Sequence, residues 1–584
     1  YTAVAHGIRQ GTLSMRSFPG RFIIATACIL AAGQAAGTDL ADRVLRGGKV
    51  YTLNSDAPWA EAVAIRGDRI LYVGDGAGVA AFTGPATEVV ELDGQLVLPG
   101  FIDSHMHIGS TLPYLEAVGL SPDMAPAELI ETIRAHAEAN PDLDPVVGFG
   151  FLGAVYGPQG PTAEDLDRAV PDRPAIIIDE GGHSAWINTA AMEKVGLDAD
   201  SEDPIPGAHY YKRYPDGRPT GWLIEGEAFG WVSDALGVAS DEALARAAGQ
   251  FLPTLSAMGI TAAFDAGMIE GGGRLFDFMG GLAAEDRIPL RIVGSHYVNS
   301  PRQLPTALED LAALRARFHG EVFDVRVLKL SLDGTVEAQT AYTLEPYLQP
   351  PGHRAEPLIP IGPTSVVASE AAAQGIDIHM HAIGDGAVRM ALDMVATARQ
   401  EHPDTTSRFT ICHAQVVNPA DVPRFGELGV VVQSTPTWYA YDEIALAYLG
   451  EERLGHLYPL RSIAEGGARV TLGSDYPASW IGLNGLDPLY NIEMALTRQP
   501  AGDADYPVQP PEDERIALTR AIRGYTLDAA WQLRLEDEIG SIEPGKQADL
   551  VVLDENLFDL DPYAIHKADV VMTLVDGEVV YRAP

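Results

Sequence analysis

A chain of 584 residues is too long for one compact domain and suits a large catalytic domain joined to a smaller one. Hydrophobic residues make up 46% and charged residues 21%, which excludes wholesale disorder. Against 40 Lys and Arg stand 81 Asp and Glu, a formal net charge of −41. So acidic a surface repels phosphate backbones and anionic lipid, and argues against a nucleic-acid partner.

Residues 1–14 read as upstream extension. Met15 is followed by Arg16 and Arg21, an apolar run from Phe22 to Gly33, and the small residues Ala35, Ala36 and Gly37. A basic start, an apolar centre and a small-residue exit describe a secretory signal peptide over 15–37. The apolar run is short of the about 20 residues that span a bilayer, so no stable membrane anchor is expected. This predicts a periplasmic or secreted protein; if the run is instead a buried helix of the fold, the location is cytoplasmic. Two cysteines, Cys28 and Cys412, are too few for a disulfide framework or a Cys-rich zinc site.

From 38 to 98 the chain reads as short strands, Val44–Tyr51, Ala62–Ile65 and Arg69–Val73, with Gly67-Asp68 as a hairpin turn. The far end, 536–584, has the same texture, and the two ends predict one small β-sandwich built from both termini. Between them, 99–535 carries a β-rich run at Leu96–Ile102 and seven more. These are Gly259–Phe264, Leu290–Gly294, Val325–Leu330, Ile376–His379, Arg408–Ile411, Val430–Gln433 and Ala468–Leu472. The last seven recur about every 36 residues, the size of a βα unit. The expected fold class is therefore α/β, a distorted (β/α)8 TIM barrel. The gap after the first strand holds an insertion at about 108–258, expected as a lid or pocket wall.

Chemistry gathers at the strand ends, the face where barrel active sites lie. The first strand ends in Asp103-Ser104-His105-Met106-His107, and two imidazoles at period two can reach one metal ion. The fifth ends in His379-Met380-His381, the sixth in Cys412-His413, and the eighth in Gly473-Ser474-Asp475. Four strand ends bringing histidine and aspartate to one mouth suit a divalent metal such as zinc. Lys329 lies in the apolar strand Val327-Leu328-Lys329-Leu330, where a free ammonium is costly to bury. It is either a carbamylated metal ligand, or a lysine paired with Asp333 or snorkelling outward.

These stretches resemble the amidohydrolase superfamily, specifically the family 3 branch that includes N-substituted formamide deformylase-like proteins. The resemblance also rests on Gly182-His183-Ser184-Ala185-Trp186, Asp216-Gly217-Arg218-Pro219-Thr220-Gly221, His381-Ala382-Ile383-Gly384-Asp385 and Glu543-Pro544-Gly545-Lys546-Gln547-Ala548-Asp549, and covers roughly 42–582. It implies His105, His107, His381 and His413 as metal ligands, Lys329 as a carbamylated bridge, and Asp475 as both ligand and general base. One or two zinc ions per chain are expected. His183 and Trp186 are implied to face the pocket. His183 either stabilises the oxyanion or makes a structural hydrogen bond. Two departures stand out. Cys412 replaces the family's usual acid, and strand alternation predicts that it points away from the metal. The stretch Gln433–Tyr439 leaves Trp438 and Tyr439 as pocket walls or as packing of the barrel mouth. The expected reaction is hydrolysis of a non-peptide C–N bond in a small-molecule substrate. Ester or lactone hydrolysis, and a catalytically silent binding or regulatory protein, are the alternatives. Barrels of this size pair often enough that a homodimer is also expected.

Overall fold

A computed structural model describes residues 40–584 except 116, 158, 239–240, 269–271 and 479–481. The extension at 1–14 and the signal-peptide reading of 15–37, with Cys28, lie outside the described residues.

Eight strands form the barrel. They are β1 (Phe101–Met106), β2 (Ile260–Asp265), β3 (Arg291–Val298), β4 (Phe323–Ser331), β5 (Ile378–Ala382), β6 (Phe409–His413), β7 (Val431–Ser434) and β8 (Val470–Leu472). They pair in chain order through parallel ladders. The seam between β8 and β1 is closed by single bonds. Ser104 Oγ donates to the Leu472 carbonyl at 2.6 Å, and the Asp475 amide donates to the His105 carbonyl at 2.7 Å. Each of the seven apolar runs from 259 to 472 overlaps one of β2–β8.

The run Leu96–Ile102, expected as one strand, is divided. Leu96–Pro99 belongs to the terminal sheet, where it runs antiparallel to Leu550–Leu553, and β1 starts only at Phe101. Pro99 has no amide hydrogen for a ladder, and a Cβ on Gly100 would lie 2.2 Å from the Thr261 side chain. The Pro-Gly pair therefore passes the chain from one sheet to the other.

Alternation sorts the barrel residues. Leu328, Leu330, Met380, Ile411 and Val432 face outward against helices such as Ile361–Ala373 and Asp385–Glu401. Inside, Ile102, Phe264, Val293 and Val327 pack on Ala529, Leu533 and Ile539, which seals the bottom of the barrel. Polar side chains are thus left to the carboxyl-terminal mouth.

The insertion builds a sheet of its own, in the order Tyr210–Arg213, Pro219–Ile224, Ser184–Ile187, Ala175–Asp179, Val146–Phe151, Val118–Gly119. Its two faces are both apolar. Ile177, Trp186 and Ile224 pack against Leu129 and Ile133 of the helix Pro126–Ala139, while Ile176, Ile178 and Leu223 pack against Phe229 and Val232 of Gly226–Leu236.

The two chain ends interlock in one continuous mixed sheet, in the order Glu578–Arg582, Val570–Val575, Leu550–Leu553, Leu96–Pro99, Arg43–Tyr51, Trp59–Arg66, Arg69–Gly74, with Glu88–Glu91 beside Arg43–Tyr51. Leu45, Val63 and Val97 from one end share a buried cluster with Leu550, Val552 and Leu574 from the other. No helix among the described residues is long and apolar enough to cross a membrane.

Candidate active site

The mouth of the barrel gathers the histidines. His105 is fully buried; its Nε2 lies 3.3 Å from Asp475 Oδ1 and its Nδ1 2.9 Å from His379 Nε2. His107 Nδ1 donates to the Gly267 carbonyl at 2.8 Å, so in the neutral ring the Nε2 lone pair faces Asp475 Oδ1, 3.4 Å away. His413 Nδ1 is 3.6 Å from Asp475 Oδ2 and has no hydrogen-bond partner although buried. Its ring lies 4.5 Å, centroid to centroid, from that of His381. His381 Nε2 is 3.3 Å from the Gly334 carbonyl.

Burial, reinforced by the cationic neighbours around them, holds His105, His379, His381 and His413 well below the usual imidazole range. They are neutral at pH 7, the form that binds metal. Asp475 behaves oppositely: burial alone would raise it, but His413 and His107 outweigh that and hold the carboxylate below its ordinary value. Lone pairs facing an anionic oxygen, and a buried nitrogen with no partner, form an arrangement that a cation satisfies. Two donor groups have mutually close atoms, His105–His107–Asp475 and His105–Cys412–His413, each within 4.8 Å. The residues present therefore fit a divalent metal.

The backbone is strained in the same place. His413, Ala414 and Asp475 have φ of 69°, 44° and 50°, in the left-handed region. This accounts for the one failure of alternation. Cys412 was expected to turn away; instead it points into the barrel, its Sγ accepting from Lys329 Nζ at 3.1 Å. β6 ends at His413, where the chain leaves the extended conformation, so consecutive side chains both reach the interior.

Lys329 is 1% exposed, and its Nζ also lies 3.4 Å from His105 Nε2. It neither snorkels nor pairs with Asp333. That carboxylate is engaged by the amides of Tyr342, Ile383 and Gly384 at 2.9–3.0 Å.

Above the histidines opens a cavity of ≈ 520 Å³, lined by His107, Lys329, His381, His413 and Asp475, and by His183 and Trp438. Trp438 stacks on His413, ring centroids 5.2 Å apart, and donates from Nε1 to the Ala478 carbonyl at 3.0 Å. Tyr439 does not line the cavity. It is buried against Tyr458 and the Arg498 guanidinium, which corrects its assignment as a pocket wall. Trp186 is likewise corrected: it faces the helix Pro126–Ala139 within the insertion and donates to the Thr162 carbonyl at 2.7 Å. His183 lies just before the strand Ser184–Ile187 that carries Trp186, outside its alternation.

His183 does reach the cavity, from the insertion. Its Nδ1 donates to Glu225 Oε2 at 2.7 Å, and Glu225 Oε1 accepts from Thr340 Oγ1 at 2.8 Å. Burial opposes the charge on His183, but Glu225 overrides it and raises the imidazole to about 9. Sequence reading missed Glu225, 42 residues away, and the role of His379 beside His105. For His379 the signal was present in the pair His379-Met380-His381; Glu225 carries none.

A sealed eight-stranded barrel with a His/Asp mouth defines a metal-dependent hydrolase. The chain belongs to the amidohydrolase family, whose model matches residues 88–581. It is 30% identical over 442 residues to the exoenzymes regulatory protein AepA of Pectobacterium carotovorum subsp. carotovorum, 74% of this chain and 93% of that protein. It is 27% identical over 564 residues to the N-substituted formamide deformylase of Arthrobacter pascens, 93% and 99% of the two chains. Among solved structures, an uncharacterized metal-dependent hydrolase from Pyrococcus furiosus superposes with a TM-score of 0.66 at 25% identity, covering 89% of this chain and 99% of that one.

Proposed function

We propose that the protein hydrolyses a non-peptide carbon–nitrogen bond in an amide- or formamide-like small molecule. The observation that carries the reading is Asp475. It is a buried carboxylate held ionised, with His105, His107 and His413 all within 3.6 Å of its oxygens, at the floor of a substrate-sized cavity. The formamide deformylase relative, matched over nearly the full length, supports the bond type.

His105, His107, His381, His413 and Asp475 would hold a divalent cation, zinc in first place, which supplies Lewis acidity and a lowered pKa for water. Asp475 accepts the proton of the attacking water and returns it to the departing nitrogen. His183, kept protonated by Glu225, donates from Nε2 to the oxygen on which charge develops. Lys329 stands where a carbamate would meet the same cation, with Cys412 against its Nζ.

The test is to strip the full chain with chelator, reload it with Zn2+, and assay formamides, acyl-amino compounds and aryl esters. Turnover of formamides or amides that is lost with the metal and restored by Zn2+ is the expected result. Turnover confined to the esters would overturn the bond assignment. Ligand binding without turnover of any compound would overturn the hydrolase reading.

A further inference from the structure

The histidine-rich floor accounts for only part of the cavity. Three carboxylates line another part of it: Glu180 follows the insertion strand Ala175–Asp179, Glu337 lies in the loop after β4, and Asp442 caps the short helix Glu443–Leu449. They are electrostatic neighbours in series, Glu180 repelled by Glu337 and Glu337 by Asp442. Among the described residues none of the three is ion-paired with a lysine or arginine. Nor does any of them contact the histidines at the floor. Lys329 is the only described lysine or arginine lining the cavity, and it is committed to His105 and Cys412.

Two buried polar atoms, one on these acids and one on a neighbouring tyrosine, have no partner. Glu180 is 7% exposed, and its Oε2 accepts no hydrogen bond. Tyr458 is fully buried, lines the cavity, and its Oη is likewise unpaired. Burying acceptors that nothing satisfies costs about 1–3 kcal/mol each. Placing like charges together raises the cost further. Such groups persist where a ligand completes them.

The structure assigns Glu180, Glu337 and Asp442, with the Tyr458 hydroxyl, as a subsite for a cationic nitrogen of the substrate, so that the preferred substrates are amides or formamides carrying a second, protonated amine. This rests on reading the cavity as the active site of an amide hydrolase. An ammonium group has three donors and one positive charge, enough to serve the unpaired oxygens and offset the mutual repulsion. Burial and Asp442 together push Glu337 up to about 7, so the subsite is only partly ionised when empty, and a bound cation draws it into the charged form. A substrate carboxylate at this position would meet three acids, with the His183 imidazolium, which also acts on Glu337, already held by Glu225.

The experiment uses the zinc-reconstituted full chain and three formamides of matched length: N-formyl-1,5-diaminopentane, N-formylhexylamine and N-formyl-5-aminopentanoate. The expected result is at least a tenfold higher kcat/KM for the ammonium compound than for the methyl-terminated one, and no measurable turnover of the carboxylate. Glu337→Gln and Asp442→Asn should each reduce that preference about tenfold. Equal rates for the first two compounds, or a preference that neither substitution moves, would overturn the subsite. If nothing is turned over, calorimetric titration with 1,6-diaminohexane against 1,6-hexanediol decides the question. Diamine binding that Glu337→Gln weakens about tenfold would keep the subsite while the hydrolase reading falls; absence of diamine binding would overturn the subsite.

Discussion

The pair formed by His183 and Glu225 can be separated into charge and geometry by one substitution. In Glu225→Gln the amide oxygen can still accept from His183 Nδ1, and the amide nitrogen can donate to Thr340 Oγ1, so the side chains keep their positions. What disappears is the charge that holds His183 protonated. A rise of the imidazole from 6.5 to about 9 corresponds to about 3 kcal/mol in favour of the charged form. That agrees with the ~3–5 kcal/mol lost on breaking a buried pair. In the transition state a charged donor contributes about 1.5 kcal/mol more than a neutral one. The expected loss for Glu225→Gln is therefore about tenfold in kcat with KM little changed. His183→Ala, which removes the donor altogether, should cost about 10²–10³-fold. The assay is steady-state turnover of a formamide by the zinc-loaded enzyme. In the metal-free protein the pair also predicts a stability profile, read as Tm against pH. Because the folded pKa of His183 is raised, its stabilisation is complete below pH 6.5 and is lost as pH rises through about 9. Glu225 is held below its ordinary 4.5, so the acid-side loss comes only as pH falls past that value. Glu225→Gln should flatten the alkaline limb. An unchanged kcat in Glu225→Gln, or less than a tenfold loss in His183→Ala, would refute the role given to His183.

Two further outcomes follow from the site and its support. Asp475→Asn should lower kcat by about 10²–10⁴-fold, while metal per chain, measured by inductively coupled plasma mass spectrometry, persists on the four histidines; full retention of rate would remove Asp475 as the base. Arg498 is 1% exposed and donates to four carbonyls, those of Leu457, Tyr458, Gln509 and Pro510, at 2.9–3.1 Å, with no carboxylate partner. Arg498→Ala should destabilise the chain by about 4 kcal/mol, seen as a lower midpoint in denaturant, and Arg498→Lys should recover only part of it, since three donors cannot serve four acceptors.

Several features of this protein were decided locally and could be read from the residues. A strand buried in a barrel alternates, so apolar runs at βα spacing locate the eight strands, and a histidine at the end of such a run must open on the mouth. His105, His107, His381, His413 and Asp475 follow from that rule, and so does the inward Lys329, since Leu328 and Leu330 beside it pack outward. The rule fails where the backbone leaves the strand. At φ 69° His413 no longer opposes Cys412, and both face the interior. Trp186 and Tyr439 show a second limit: an aromatic residue near a motif can bury its ring on either side of a sheet or loop, and only the packed partners decide which. The third limit is distance along the chain. Glu225 reaches His183, and Glu180, Glu337 and Asp442 meet in one cavity, because an insertion sheet, a βα loop and a helix cap are folded against each other. No periodicity in the sequence marks such a meeting, and the tertiary structure alone determines which charge each group faces.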